Sequence, residues 1–196
     1  MCAAGSAPPP SPLALAGSSL QQAADRIVDA AAVLGENQRQ EEEPGALSAC
    51  GCALANAGRD LVVAASALSE EGDWACAADA LGEVATSLET AGASVGADSG
   101  GDWLSEAASE LEDAASVTGC ISLAAAAGPN LQAAADALSG TASALAERGA
   151  DLDSGPSAAH QTAGMRLGEA ANAIGAAAAG LRAAGEQLEQ GTAGPS

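Results

Sequence analysis

Large apolar residues recur at seven-residue intervals along most of this chain: Leu20, Ile27 and Leu34; Leu54, Leu61 and Leu68; Trp74, Leu81, Leu88 and Val95; Leu104 and Leu111; Leu131, Leu138, Leu145 and Leu152; then Leu167, Ile174, Leu181 and Leu188. Midway between them stand pairs of small residues, among them Ala23-Ala24, Ala64-Ala65, Ala77-Ala78, Ala107-Ala108, Ala134-Ala135 and Ala177-Ala178. A stripe alternating in this way returns every ~3.5 residues, the period of α-helices packed along a left-handed seam. Alanine at alternate layers lets neighbouring backbones approach near the close end of the usual ~8–10 Å.

Breaker residues punctuate the stripe. Pro44-Gly45, Gly72-Asp73, Gly100-Gly101, Gly128-Pro129 and Gly155-Pro156 follow one another at steps of roughly 28 residues, with Ala16-Gly17 in step before them. Connections this short make consecutive helices antiparallel. The pattern predicts an all-α fold of six helices, near 18–40, 46–70, 73–96, 102–127, 130–150 and 157–190, as an Ala/Leu up-and-down bundle or a helical array. Residues 1–17 are expected to form a proline-rich extended arm, 18–190 a single helical domain and 191–196 a flexible tail. Gly-Asp-Trp occurs twice, at Gly72–Trp74 and Gly101–Trp103. It predicts an aspartate at the positive end of each helix dipole and an indole clamped over the turn.

Composition sharpens the picture of the core. There is no Phe or Tyr and Trp occurs only twice, so the interior must be Ala and Leu with a little Val and Ile. Alanine has the best intrinsic helix propensity, which favours helix even where each residue buries little surface. Lysine is absent and all basic residues are arginine, a bias that fits a GC-rich genome. The run Ala114–Ala135 has the length of a membrane span but contains Gly119, Gly128, Pro129 and Asn130, so it is expected to hold a turn and not to cross a membrane. No basic stretch precedes an apolar one near Met1, as a secretory signal would require.

The formal charge of −20 is unevenly spread, with fifteen acidic residues and no basic one from Asp60 to Glu147. Such a field repels phosphates, which argues against nucleic acid and anionic lipid, and attracts proteins with basic surfaces. Solubility for an alanine-rich chain is the plainer explanation.

Candidate chemistry is sparse. Cys2, Cys50, Cys52, Cys76 and Cys120 include no CxxC pair and no histidine neighbour, so they are expected to be reduced, small apolar fillers and not a zinc site. Gly92-Ala93-Ser94-Val95-Gly96 fits the GxSxG pattern of serine hydrolases, but that motif depends on a strand-to-helix turn and here falls near a helix end. His160 is the single histidine and stands in register with Leu167, as a residue satisfied at the start of the last helix. Asp151-Leu152-Asp153-Ser154-Gly155 begins like a calcium loop, yet Gly155 and Thr162 occupy positions that need ligands. Glu41-Glu42-Glu43 suits a solvated loop, and Gly164 with Gly168 suits close helix packing. These patterns lead us to expect no enzyme activity, no catalytic or metal site and no cofactor.

Through stripes such as Leu167-Gly168-Glu169-Ala170-Ala171-Asn172-Ala173-Ile174, the whole chain resembles the alanine-rich, aromatic-poor helical accessory polypeptides of GC-rich algae. The resemblance lies in composition and style. It implies a linker between a photosystem core and antenna proteins, in the chloroplast and peripheral to the thylakoid membrane, while the residues themselves leave a soluble, cytoplasmic place equally open. The scarcity of histidine implies that such a subunit would itself bind little chlorophyll. Two other classes stay open: a self-assembling helical array, and a carrier of a small apolar molecule. Close-packed alanines disfavour the carrier, because they leave little volume for a ligand.

Overall fold

The computed structural model describes residues 10–37, 43–70, 73–96, 100–118 and 126–191. Six helices account for nearly all of them: α1 (Pro12–Asn37), α2 (Glu43–Glu70), α3 (Trp74–Ser94), α4 (Gly101–Thr118), α5 (Ala127–Asp153) and α6 (Ala158–Gly191). Among the described residues there is no strand.

Each helix packs against its neighbours in sequence, and α6 packs back against α1. Among the described residues no other pair of helices approaches within 8 Å, Cα to Cα. The six antiparallel helices therefore form a closed ring, a bundle and not an open array. Its axis is filled by the seven-residue stripe. Leu20 and Ile27, Leu54 and Leu61, Leu81 and Leu88, Leu104 and Leu111, Leu131 and Leu138, and Leu167 and Ile174 are fully buried, two from each helix. Burying an aliphatic side chain of this size contributes roughly 1.5–3 kcal/mol. These residues point inward from all six sides, while the alanine pairs beside them line the seams.

Three of the six seams are tight because glycines face one another across them. A Cβ on Gly17 would stand 2.5 Å from the carbonyl oxygen of Gly58, and one on Gly58 would stand 2.6 Å from that of Gly17. Gly92 and Gly101 oppose each other between α3 and α4, each with its added Cβ 2.7 Å from the other's carbonyl oxygen. Gly128 faces Gly185, and Gly149 faces Gly164, between α5 and α6. At the closing joint a Cβ on Gly180 would meet the carbonyl oxygen of Pro12 at 2.8 Å and the Ala16 methyl at 2.9 Å. Of the expected close-packing pair Gly164 and Gly168, the first bears on α5. The Cβ direction of Gly168 is open.

Helix ends correct several sequence expectations. α1 starts at Pro12 and not at 18: Ser11 Oγ accepts from the Ala14 amide at 3.3 Å, Pro12 takes the first helical position, and Leu13 and Ala16 are buried in register with Leu20. Only residues 10 and 11 of the expected arm are described outside the helix, and residues 1–9 lie outside the described residues. Gly128-Pro129 falls inside the first turn of α5, where proline needs no amide partner and Gly128 serves the α6 contact. Pro44-Gly45 likewise falls in the first turn of α2. The described part of α4 ends at Thr118, short of the expected 127, and 119–125 lie outside the described residues, as does Cys120. Gly191 belongs to α6, and 192–196 are not described.

The repeated Gly-Asp-Trp resolves into two different starts. Asp73 caps α3, its carboxylate accepting from the Cys76 amide at 3.0 Å. Asp102 sits within the first turn of α4, whose start is instead set by Gly100 at φ +88°, in the left-handed region that favours glycine. The Trp103 indole does not clamp its own turn. It lies across the seam on Gly140 of α5, where a Cβ would come 2.5 Å from the ring.

Candidate functional site

The residues that carry chemistry in the sequence are used locally. Ser94 stands on the last turn of α3 and its hydroxyl donates to the Thr90 carbonyl at 2.8 Å. Gly92 of the same GxSxG stretch is spent on the contact with Gly101. His160 lies on α6, which is not a neighbour of α3 in the ring. Its Nδ1 pairs with Ser157 Oγ, and its backbone amide donates to that same oxygen at 3.2 Å, so Ser157 and His160 build the start of α6.

Asp151 and Asp153 are helical residues at the end of α5 with buried Leu152 between them, and Gly155 packs against the His160 ring. Among the described residues no three His, Cys, Asp or Glu side chains gather as metal ligands. Glu41 and Glu42 lie outside the described residues.

Cysteines divide by position. Cys50 is buried, and burial pushes its thiol up to about 12. It is an apolar filler as expected. Cys52 and Cys76 are free thiols on exposed positions and fill nothing. Cys2 is outside the described residues.

Charge is segregated around the ring. Arg26 of α1 reaches Glu169 of α6 at 3.1 Å, Arg166 reaches the same carboxylate at 2.9 Å, and Arg182 of α6 pairs with Asp136 of α5. The sequence of α3 and α4 contains no basic residue. Among the described residues, no ion pair reaches a carboxylate of either helix. The effect extends to α2: desolvation first, and then the Glu83 carboxylate of α3, hold the Asp60 carboxyl above its ordinary value, against the opposing pull of Arg59.

Between α3 and α4 the outer surface opens into a groove of about 940 Å³. Ala78, Gly82, Ala85, Ala108 and Ala115 line it with Thr86, Ser105, Ser109 and Ser116, and Asp79, Glu83, Glu89 and Glu112 supply four carboxylates. It runs from residue 78 to 89 along α3, about 16 Å at the helical rise.

The hairpins differ at residues that follow a buried seam aliphatic. In the α1–α2 hairpin these include Gln21, Val28 and Val62, and their side chains lie against Gly58, Gly51 and Gly17 of the facing helix. On the α5–α6 face Gln132 donates to Glu189 at 3.2 Å and Arg182 crosses to Asp136. On α3 and α4 the same positions are Gly82, Glu89, Ser105 and Glu112. A Cβ added at Gly82 would meet nothing within 4 Å. Gly82 and Ser105 thus leave the α3–α4 seam uncovered where Gln21, Val28, Val62, Gln132 and Arg182 reach across the other two hairpins, although Gly168 and Gly175 of α6 are as open as Gly82.

The groove was not anticipated from sequence. Its signal was available in Gly82 and Ser105, each one place after a seam leucine. Compared with known proteins, the chain matches no family model and no curated protein sequence.

Proposed function

We propose that this chain is a non-catalytic linker or scaffold subunit that docks on basic protein surfaces through the outer face of α3 and α4. One observation carries the proposal: that face bears Asp79, Glu83, Glu89, Asp102, Glu106, Glu110, Glu112 and Asp113 without a basic residue on either helix, while arginines of α1 and α6 are engaged in ion pairs. A one-signed field on a rigid frame steers association and selects partners. A linker between antenna proteins and a photosystem core, peripheral to the thylakoid, is the specific assembly that the compositional resemblance favours. No described helix is long and apolar enough to cross a membrane, which is compatible with a peripheral place.

The carrier alternative finds less support, because the twelve inward aliphatic residues are closed to water and leave the axis filled. The array alternative finds less support because the joint between α1 and α6 already occupies the two edges an array would extend from.

Affinity purification from the native source, repeated as salt rises and with Glu106→Gln, Glu110→Gln, Glu112→Gln and Asp113→Asn combined, tests the proposal. Partners should be lost as the Debye length falls below about 8 Å, and lost at physiological salt in the fourfold variant with its helicity intact. Partner capture indifferent to both salt and the fourfold change would leave the acidic face as a solubility coat.

A further inference from the structure

We infer that the α3–α4 groove is the seat itself, and that its occupant is a single arginine- or lysine-bearing, small-faced helix of a partner protein. This inference rests on the docking proposal and narrows it from a charged face to one trough. The trough floor is Ala78, Gly82, Ala85, Ala108 and Ala115, so a helix presenting its own alanine or glycine stripe can approach as closely as the ring's helices approach one another. Length agrees with this occupant. About 16 Å of trough takes roughly three helical turns.

Charge selects the sign of the partner. Asp79, Glu83, Glu89 and Glu112 stand around the floor, and α3 and α4 supply no cation to answer them. A segment with basic side chains flanking a small-residue stripe sets its cations among these carboxylates while the stripe meets the alanines. This chain cannot fill the trough with a segment of its own of that kind. Its six basic residues are scattered singly, at Arg26, Arg39, Arg59, Arg148, Arg166 and Arg182. An apolar small molecule is also a poor occupant, since the lining is largely hydroxyl and carboxylate. The neighbouring hairpins supply an internal contrast: Val28 and Val62 lie across the α1–α2 seam on Gly51 and Gly17, and the Gln132–Glu189 pair bridges α5 and α6.

The probe is a labelled synthetic helical peptide of about three heptads, with arginines flanking an alanine stripe, titrated into the full chain and followed by fluorescence anisotropy. Gly82→Leu and, separately, Ser109→Leu fill the trough without altering charge. Each should weaken binding by about tenfold or more while the circular-dichroism spectrum keeps its helical form. Glu106→Gln, Glu110→Gln and Asp113→Asn together remove charge from α4 outside the trough lining and should cost only about threefold.

Wild-type affinity in both filled variants overturns the seat, as does a loss in the outer triple as large as theirs. Either result leaves a diffuse acidic field and the linker proposal standing. Failure of the wild-type chain to bind the peptide at about 50 mM salt also overturns the seat, whereas the linker proposal is judged separately by native partner capture.

Discussion

Gly17 and Gly58 hold α1 and α2 in backbone contact, each setting its carbonyl oxygen where a Cβ on the other would clash. Replacing either by alanine drives a methyl to within 2.5–2.6 Å of a carbonyl oxygen on the facing helix. The backbone cannot yield as a flexible side chain would. Gly58→Ala is therefore expected to destabilise the fold by about 1–3 kcal/mol despite its better helix propensity. Gly175→Ala, where a Cβ meets nothing within 4 Å, should stabilise by about 0.5–1 kcal/mol. Urea denaturation of the two variants reads both signs. A stabilised Gly58→Ala would refute the backbone-contact account.

Leu111→Ala removes a fully buried side chain from the ring axis and should cost about 2–5 kcal/mol. The rest of the axis is aliphatic and close-packed, so the loss is a cavity more than a local rearrangement. The same denaturation experiment measures it, with exposed Val63→Ala as the near-neutral comparison.

The stripe and breaker spacing were enough to place six helices, because Leu20 to Leu188 recur in step and each stripe maps onto one buried column. Helix starts were less legible. Ser11 and Pro12 read as part of an extended arm, yet the same pair is a cap and a first-turn residue once Leu13 is added to the column. Ring closure was not legible either. It depends on Gly180 meeting Pro12 and on Arg26 reaching Glu169, pairs far apart in the chain that no local period connects. The groove was not legible because it lies beside the seam, at Gly82 and Ser105, positions that the seven-residue period leaves unconstrained.

Thiol reactivity should separate the cysteines. In a chain carrying Cys2→Ser and Cys120→Ser, a thiol-specific disulfide reagent at pH 8 should label Cys52 and Cys76 promptly, while Cys50 reacts only on the timescale of opening or unfolding. Peptide mapping of the labelled protein checks the order. Prompt labelling of Cys50 would show the α2 seam to be open.

Asp60 gives a pH prediction whose sign follows from its raised folded-state value. The fold favours the protonated carboxyl, so ionisation as pH rises from the ordinary carboxylate range through the raised value removes stability. The loss persists at neutral pH. Asp60→Asn should accordingly raise stability there by at most about a few tenths of a kcal/mol, since the site is largely solvated, and should lose that advantage below the ordinary carboxylate value. Thermal melts of both proteins at acid and neutral pH give the comparison. A variant less stable than wild type at neutral pH contradicts the raised folded-state value.

Five of the six joints in the ring link helices adjacent in sequence, so they can form as the chain is made, whereas the joint of α6 with α1 must wait for the last helix. That joint works as a clasp. Its two halves are complementary rather than alike: Gly180 and Glu169 on one side, Pro12, Ala16 and Arg26 on the other. An unclasped molecule therefore presents a hook and an eye, two unlike surfaces that only the return of the last helix brings together. The same glycine-tight surfaces that make the chain a closed ring thus leave its first and last helices exposed to solvent for as long as the chain is unfinished.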